Sequence, residues 1–475
     1  MVAAAGDRGG SARARRRRVK ALRIALAIPG AFLAAALVMR TLGIHAPESV
    51  ATDLAQPLAV VTNWSAYGAA QLGALMAALA LAMWAYLRIV ALGRGAVPGR
   101  PGSVLVVAGI AAFALLCAAC VPVIFSSDVY AYAAYGELAR LGADPYAHGL
   151  LPHGNALFDA AIVQWGNPPP ACVYGPAFVA IAEAIVSLAA PFGAVVQLDG
   201  LRTLSSGALV LCVVLAYAAY PGSRADRLTA AATIGLNPVA IWGAAEGHND
   251  ALALAIALGG FALARRGLLG IGAAVVAFSG SVKLPGIAAA IPLVLANRRA
   301  AIGAVAGAAA TLTISAPLFA SVATRLAPHG RYAPQASFQA IVIPLARLLV
   351  PADGLASVVT WAIAAAAAAA FAAMAAAMLR RRQPEGWTYF ALAGWLLVPN
   401  PYPWYALWLL AVAAVAPGSR GAAALLALSF ASLLRYVPDA VGAPAPGVAI
   451  ALGIAATLPF ALLRPRASSG IINGS

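Results

Sequence analysis

Residues 355–379 read LASVVTWAIAAAAAAAFAAMAAAML, without one charged side chain. At 1.5 Å per residue a helix of this length reaches about 37 Å, enough to cross a hydrocarbon core of roughly 30 Å. The run is continuous and does not alternate apolar with polar, so it is a spanning helix and not a barrel strand. Its alanines, densest over 362–373, read as a surface for close helix packing and not as a linker.

The same pattern recurs outward in both directions, near 21–40, 66–92, 103–124, 174–196, 203–220, 228–245, 249–264 and 301–320, and later near 387–399, 403–416, 421–436 and 446–463. The stretch 268–296 reads either as one long helix or as two short ones broken around Lys283 and Pro285. Of 475 residues, 63% are hydrophobic and 10% charged, with a mean hydropathy of +0.88, which excludes a soluble protein. The expected fold class is all-α, a polytopic membrane protein with about 12–14 transmembrane helices and a large first outer loop. The expected organisation is a basic tail over 1–20, one multispanning domain over 21–463 with outer loops at 125–173 and 321–354, and a short tail over 464–475. No internal repeat is visible.

The net charge of +16 does not imply a nucleic-acid partner. Seven basic residues crowd the first twenty (Arg8, Arg13, Arg15 to Arg18, Lys20), as expected of a cytoplasmic N-terminus beside anionic lipid. The apolar stretch 21–39 is longer than a signal-peptide core and reads as a retained anchor. Cys117 and Cys120 lie in an apolar run, Cys212 in another and Cys172 in a loop, so no disulfide framework follows.

From a cytoplasmic tail, Arg94 and Arg100 fall inside and 125–173 outside. In the middle the rule breaks: two spans between 174 and 220 put Arg224, Arg227, Arg265 and Arg266 on the wrong side. We therefore expect one incomplete or re-entrant segment there, which places 246–250 on the outer face.

The first outer loop reads FSSDVYAYAAYGELARLGADPYAHG and later QWGNPPPACVYGP. Ser126 or Ser127 suits a helix cap, with Asp128 in the first turn and Tyr132 and Tyr135 on its face. A carboxylate at a helix N-terminus is favoured in its ionised form, ready to accept a proton or bind a cation. The plainer readings are a capping acid and interfacial tyrosines. LNPVAIWGAAEGHND gathers Glu246, His248, Asn249 and Asp250 at one junction, either as an ordinary polar turn or as a cluster facing Asp128; a divalent cation is a further option for it. In SVKLPG, Lys283 is the only lysine past residue 20, a phosphate or carboxylate partner or else a snorkelling side chain. Two later outer segments carry Arg331, suited to phosphate, with Gln335 and Gln339, and Trp404, Tyr405 and Trp408, suited to sugar rings or to an interfacial belt.

The order DVYAYAAYGELARLGADPYAHG, QWGNPPP, VYGP, LNPVAIWGAAEGHNDAL, SVKLP and PWYALW resembles the polyprenol-phosphate-mannose-dependent α-(1→6)-mannopyranosyltransferases of bacterial envelope glycan synthesis. That resemblance implies the GT-C glycosyltransferase fold in the bacterial plasma membrane, with the active site on the non-cytoplasmic face. It also implies a polyprenyl-phosphate sugar donor, a glycan or glycolipid acceptor and inversion. Asp128 matches the family's exit-loop acid and Asp250 its second acid. Tyr132, Tyr135, Tyr174, His248, Asn249, Lys283, Arg331, Trp404 and Tyr405 are the expected substrate contacts, and no cofactor is certain. A transporter or flippase of a lipid-linked sugar is the competing reading, kept open by Lys283 and Glu183.

Overall fold

The computed structural model describes residues 19–41, 66–96, 103–121, 126–147, 149–319, 333–350, 352–437 and 445–464. Most of the basic tail, Arg331 and much of the second outer loop lie outside these residues. All regular structure among the described residues is helical. The chain divides into two compact units, the first made of Met1–Arg331, Pro403–Ala411 and Tyr436–Ala443, the second of Tyr332–Tyr402, Val412–Arg435 and Pro444–Ser475.

The first unit begins with α1 (Ala27–Thr41), α2 (Ala66–Ala96) and α3 (Ser103–Ala119), continues through α4 (Asp128–Arg140) and α5 (Ala156–Trp165) of the outer loop, and reaches α6 (Pro176–Ala189) and α7 (Ala194–Ala219). Next come α8 (Arg224–Gly235), α9 (Pro238–Ala245), α10 (Asp250–Arg265), α11 (Leu269–Phe278), α12 (Pro285–Ala288), α13 (Ile291–Ala296) and α14 (Arg298–Ile314). Local chemistry sets several boundaries. Ser223 and Asp226 form a capping box on α8, and Asn237 caps α9 with Pro238 at its first position. α8 and α9 meet at 52°, a broken pair on the apolar stretch 228–245.

Cross-chain bonds show the level of each helix. Arg202, Ser205 and Ser206 of α7 donate to the carbonyls of Ala245, His248 and Ala244, while Arg202 also reaches Ala119 at the end of α3. Gly175, just before α6, donates to Val282 beside Lys283 at 3.2 Å. Lys283 in turn meets Asp250, two residues past His248. The segment from Gly175 to Arg202 thus starts against the Lys283 turn and ends against the Ala244–His248 turn. α6 continues through a 3-10 turn, Ala190–Phe192, before α7 begins. Arg224 and Arg227 lie in the first turn of α8, just past the end of α7, and Arg265 and Arg266 at the end of α10.

The stretch 268–296 takes the two-helix form. α11 ends in a 3-10 turn, Ser279–Ser281, and the chain resumes at Pro285 beyond Lys283. α14 lies along α11: a Cβ on Gly303 sits 2.0 Å from the Gly270 carbonyl oxygen, and Thr311 Oγ1 donates to Ala277. Since α14 begins at Arg298, the chain has returned to the level of Leu269 by then, and 269–297 is a re-entrant hairpin with Lys283 at its tip.

Near the end of the chain a 3-10 turn, Pro403–Tyr405, rejoins the first unit against α9. The second unit holds α15 (Phe338–Leu349), α16 (Asp353–Arg380) and α17 (Gly386–Leu396). α18 (Ala406–Ala413) starts in the first unit, and α19 (Arg420–Ala431) and α20 (Pro446–Thr457) complete the second. α16, the alanine-rich helix, buries a single stripe, Ala356, Thr360, Ala364, Ala368 and Ala375, so small residues serve one packed face only. Among the described residues, 19–38, 194–219, 353–380 and 446–463 are long and apolar enough to cross alone; the α8–α9 pair passes the same test only when taken together across its bend, and eight shorter apolar helices follow.

Candidate active site

Asp128 is the first residue of α4. Ser127 occupies the capping position without a side-chain bond, and Ser126 Oγ accepts from the Asp128 amide at 3.3 Å instead. One turn on, the Tyr132 hydroxyl donates to Asp128 Oδ2 at 3.3 Å, and Tyr174 donates to the same oxygen at 3.1 Å. The two tyrosine rings meet edge to face, 4.8 Å apart at 85°. Tyr174 is held there by its neighbour: a Cβ on Gly175 falls 1.9 Å from the Ser281 carbonyl oxygen, so only glycine lets VYGP pack on the Lys283 hairpin.

His248 Nδ1 stands 3.6 Å from the same Asp128 oxygen, and its ring stacks on Trp404 at 3.8 Å and 15°. Asp250, 1% exposed at the start of α10, accepts from Trp408 Nε1 at 2.9 Å through Oδ1 and pairs with the Lys283 ammonium through Oδ2. That ammonium also lies 4.9 Å from the Tyr405 ring centre and 5.9 Å from that of Tyr174. Two carboxylates therefore lie in different surroundings, Asp128 beside hydroxyls and a histidine, Asp250 paired with a lysine whose charge reaches Asp128.

Burial lifts the Asp128 carboxyl above the ordinary carboxylate range, opposed by the Lys283 charge and by the Tyr174 and Tyr132 hydroxyls. Burial also holds the His248 imidazole below its usual value, and the Lys283 charge adds to this, so His248 is neutral. Both ring nitrogens of His248 and both amide atoms of Asn249 are buried without a hydrogen-bond partner. Four orphaned polar atoms beside an ionisable carboxylate are what a polar ligand satisfies.

Tyr135 makes no hydrogen bond to Asp128. Its hydroxyl donates to the Pro170 carbonyl at 3.0 Å, and its ring packs with Tyr146 and Cys172, so it braces the outer loop. The seven-residue step from Asp128 is two turns, so Tyr135 keeps the same helix face about 10 Å further along, with its ring 6.4 Å from that of Tyr174. Arg331 lies outside the described residues. Among the described residues no group of three His, Cys, Asp or Glu side chains is placed to hold a metal, because Lys283 takes Asp250 and leaves Asp128 with His248 alone. The divalent-cation option for the EGHND turn thus lacks a ligand set here.

The sequence reading passed over Arg202, Ser205 and Ser206. They form the polar face of α7 that grips the Ala244–His248 turn, with Arg202 also paired to Asp199 at 3.2 Å. The signal was present as RTLSS inside an otherwise apolar helix.

The model of the alpha-(1->6)-mannopyranosyltransferase family, N-terminal domain, matches residues 27–299, more than half of the chain. The chain belongs to that family. The matched part includes Asp128, Tyr132, Tyr174, the His248–Asp250 turn and Lys283. A relative, alpha-(1->6)-mannopyranosyltransferase A of Mycobacterium tuberculosis (strain ATCC 25618 / H37Rv), is 33% identical over 146 residues, 30% of this chain and 28% of the relative. The chain thus matches under a third of that relative's length. No solved structure matches.

Proposed function

We propose that this protein is a GT-C type mannosyltransferase of the bacterial plasma membrane. It transfers mannose from a polyprenyl-phosphate donor to a hydroxyl of an envelope glycan or glycolipid, with inversion, on the non-cytoplasmic face. The observation that carries the reading is Asp128, an ionisable carboxylate with raised pKa, aligned by Tyr132, Tyr174 and His248. A base that works near neutral pH needs such a shift.

In this mechanism the acceptor oxygen attacks the anomeric carbon as its proton passes to Asp128. The bond from the anomeric carbon to the phosphate oxygen breaks, and polyprenyl phosphate departs with the electron pair. Positive charge near that oxygen stabilises the departing phosphate, and Lys283 supplies it from the hairpin tip. Asp250 and Trp408 hold the lysine in place until phosphate competes for it. His248, Asn249 and the Trp404 and Tyr405 rings receive the sugar, whose hydroxyls satisfy the orphaned nitrogens and amide. The side assignment rests on the arginines at the far ends of α7 and α10.

A lipid-linked sugar flippase is the second reading, favoured by the helix broken at a charged tip near Lys283. One experiment separates the two. Membranes containing the protein receive labelled polyprenyl-phosphate mannose and a panel of envelope glycan acceptors. Transfer of label to glycan supports the transferase; label that changes leaflet without transfer replaces it with the flippase.

A further inference from the structure

The first unit holds an apolar slot away from Asp128. It has a volume of about 270 Å³ and is walled by four helices of that unit: the stretch Val19–Val38, which runs into α1, the last turns of α2, the first half of α3 and one stripe of α8. The stripe follows helical spacing, Ala225, Thr229, Ala232 and Leu236, so α8 gives the slot one continuous face. Thr229 donates its hydroxyl to the Ala225 carbonyl at 2.9 Å, which leaves that face apolar. Tyr86 of α2 donates to the Thr233 carbonyl at 2.9 Å and ties α2 to α8 beside the slot.

The slot lies at one end of these helices. Its lining starts at Ala21, reaches Leu92 near the end of α2, and includes Ser103 and Ala225, the first and second residues of α3 and α8. The other end of α3 is at the Asp128 centre: Arg202 binds the carbonyl of Ala119, its last residue, together with that of Ala245 in the histidine turn. Seventeen residues of helix put Ser103 about 25 Å from that end. A group at the mouth of the slot is therefore out of reach of Asp128 and Lys283.

Charge marks the mouth. Lys20, Arg23, Arg88 and Arg224 are exposed, and each is next in the chain to a residue that lines the slot. Among the described residues none of the four is ion-paired, and the acid beside them, Asp226, is taken by Ser223 in the capping box of α8. An apolar slot smaller than the roughly 300 Å³ of small-molecule pockets suits a single hydrocarbon chain. Unpaired cations where that chain ends call for an anion, and long basic side chains on a membrane helix reach the headgroup layer. A phospholipid with a negative headgroup meets both demands. Polyprenyl phosphate has the same two features, but a donor's phosphate has to lie at Lys283, at the opposite end of α3.

We propose that the slot between α2, α3 and α8 binds one acyl chain of an anionic membrane phospholipid, whose phosphate is held by Arg88 and Arg224 with Lys20 and Arg23 alongside. The site is independent of the transfer reaction.

The full chain in detergent is titrated with phosphatidylglycerol, and lipid-bound states are counted by native mass spectrometry, with phosphatidylcholine and polyprenyl phosphate as competitors. One phosphatidylglycerol binds saturably, and excess phosphatidylcholine leaves it in place. Arg88→Gln combined with Arg224→Gln raises the half-saturating concentration at least about tenfold. Val106→Trp, at a slot position that is 52% exposed, fills the space without changing charge and weakens binding comparably. Arg298→Gln combined with Arg299→Gln, two exposed arginines at the start of α14, removes the same charge away from the slot and leaves binding unchanged. If Val106→Trp fails to fold, the two arginine pairs and the competition decide. Absence of saturable binding, displacement by phosphatidylcholine, or equal weakening by both arginine pairs overturns the proposal. So does full binding to folded Val106→Trp, because charge alone then holds the lipid. Preferential binding of polyprenyl phosphate also overturns it and makes the slot a carrier-lipid site.

Discussion

His248 Nδ1 lies 3.6 Å from Asp128 Oδ2, although the two residues belong to different ends of the matched segments, one opening the outer-loop helix and the other closing the broken α8–α9 pair. Neither residue has a like neighbour in its own stretch of chain. Their meeting depends on α7, whose Arg202 and Ser205 hold the histidine turn at the level where α4 begins.

Asp128→Asn is expected to lower transfer by about 10²- to 10⁴-fold, the usual contribution of a positioned base. Amide and carboxylate are nearly the same size, and the Ser126 bond is to the backbone amide, so membrane insertion and thermal unfolding should not change. Near-normal transfer of labelled mannose in this variant removes Asp128 as the base.

The pH profile follows from the same group. Asp128 works as carboxylate, so activity falls as pH drops through its raised pKa, and the acid limb lies above the ordinary carboxylate range. Tyr132 and Tyr174 donate to the charged form and so lower the pKa. Removing either hydroxyl, in Tyr132→Phe or Tyr174→Phe, moves the acid limb to higher pH. A limb that stays in place in both variants, measured as kcat/KM against pH, argues that another group titrates.

Lys283 and Asp250 stabilise the fold as a pair, with side-chain exposures of 12% and 2%. Removal of one partner leaves a buried charge, at a cost of about 3–5 kcal/mol. Lys283→Met and Asp250→Leu should each lower the unfolding temperature markedly, and the double variant should regain most of the loss. Transfer separates the roles: the stable double variant should remain at least about 10²-fold down in donor use, since the charge that met the phosphate is gone. Full activity in it reduces the pair to a packing element. Lys283→Arg keeps charge but not shape, and should retain part of the activity.

Arg202 bonds two backbone carbonyls and Asp199. Its replacement by Leu removes charge-assisted bonds worth about 1.5–3 kcal/mol each at most and loosens the His248 turn. Transfer should fall at saturating donor, with Arg202→Lys recovering a part. An Arg202→Leu protein that keeps its kcat while losing only stability shows that the arginine does not position the turn.

Single cysteines placed beside Asp128, His248 and Asp250 should react with an impermeant reagent from the same side of the membrane, and cysteines near Arg224 and Arg265 from the other. Labelling of the first group from opposite faces removes the shared site and the expected non-crossing segment together.

Composition and hydropathy alone determined that this chain is an all-helical membrane protein, because burying backbone in lipid leaves a long apolar run no alternative to a helix. The arginines at 224, 227, 265 and 266 also argue for one segment that does not cross, since each charge has a strong preference of side. Motif order pointed to Asp128, the His248–Asp250 turn and Lys283. Tertiary structure decided what sequence spacing does not encode: that Lys283 answers Asp250, that Tyr135 bonds the outer loop while Tyr174 bonds Asp128, and that a polar face of α7 holds the histidine turn. These are contacts between residues far apart in sequence, fixed by helix levels and by glycines that allow close approach. No local pattern of residues carries that information.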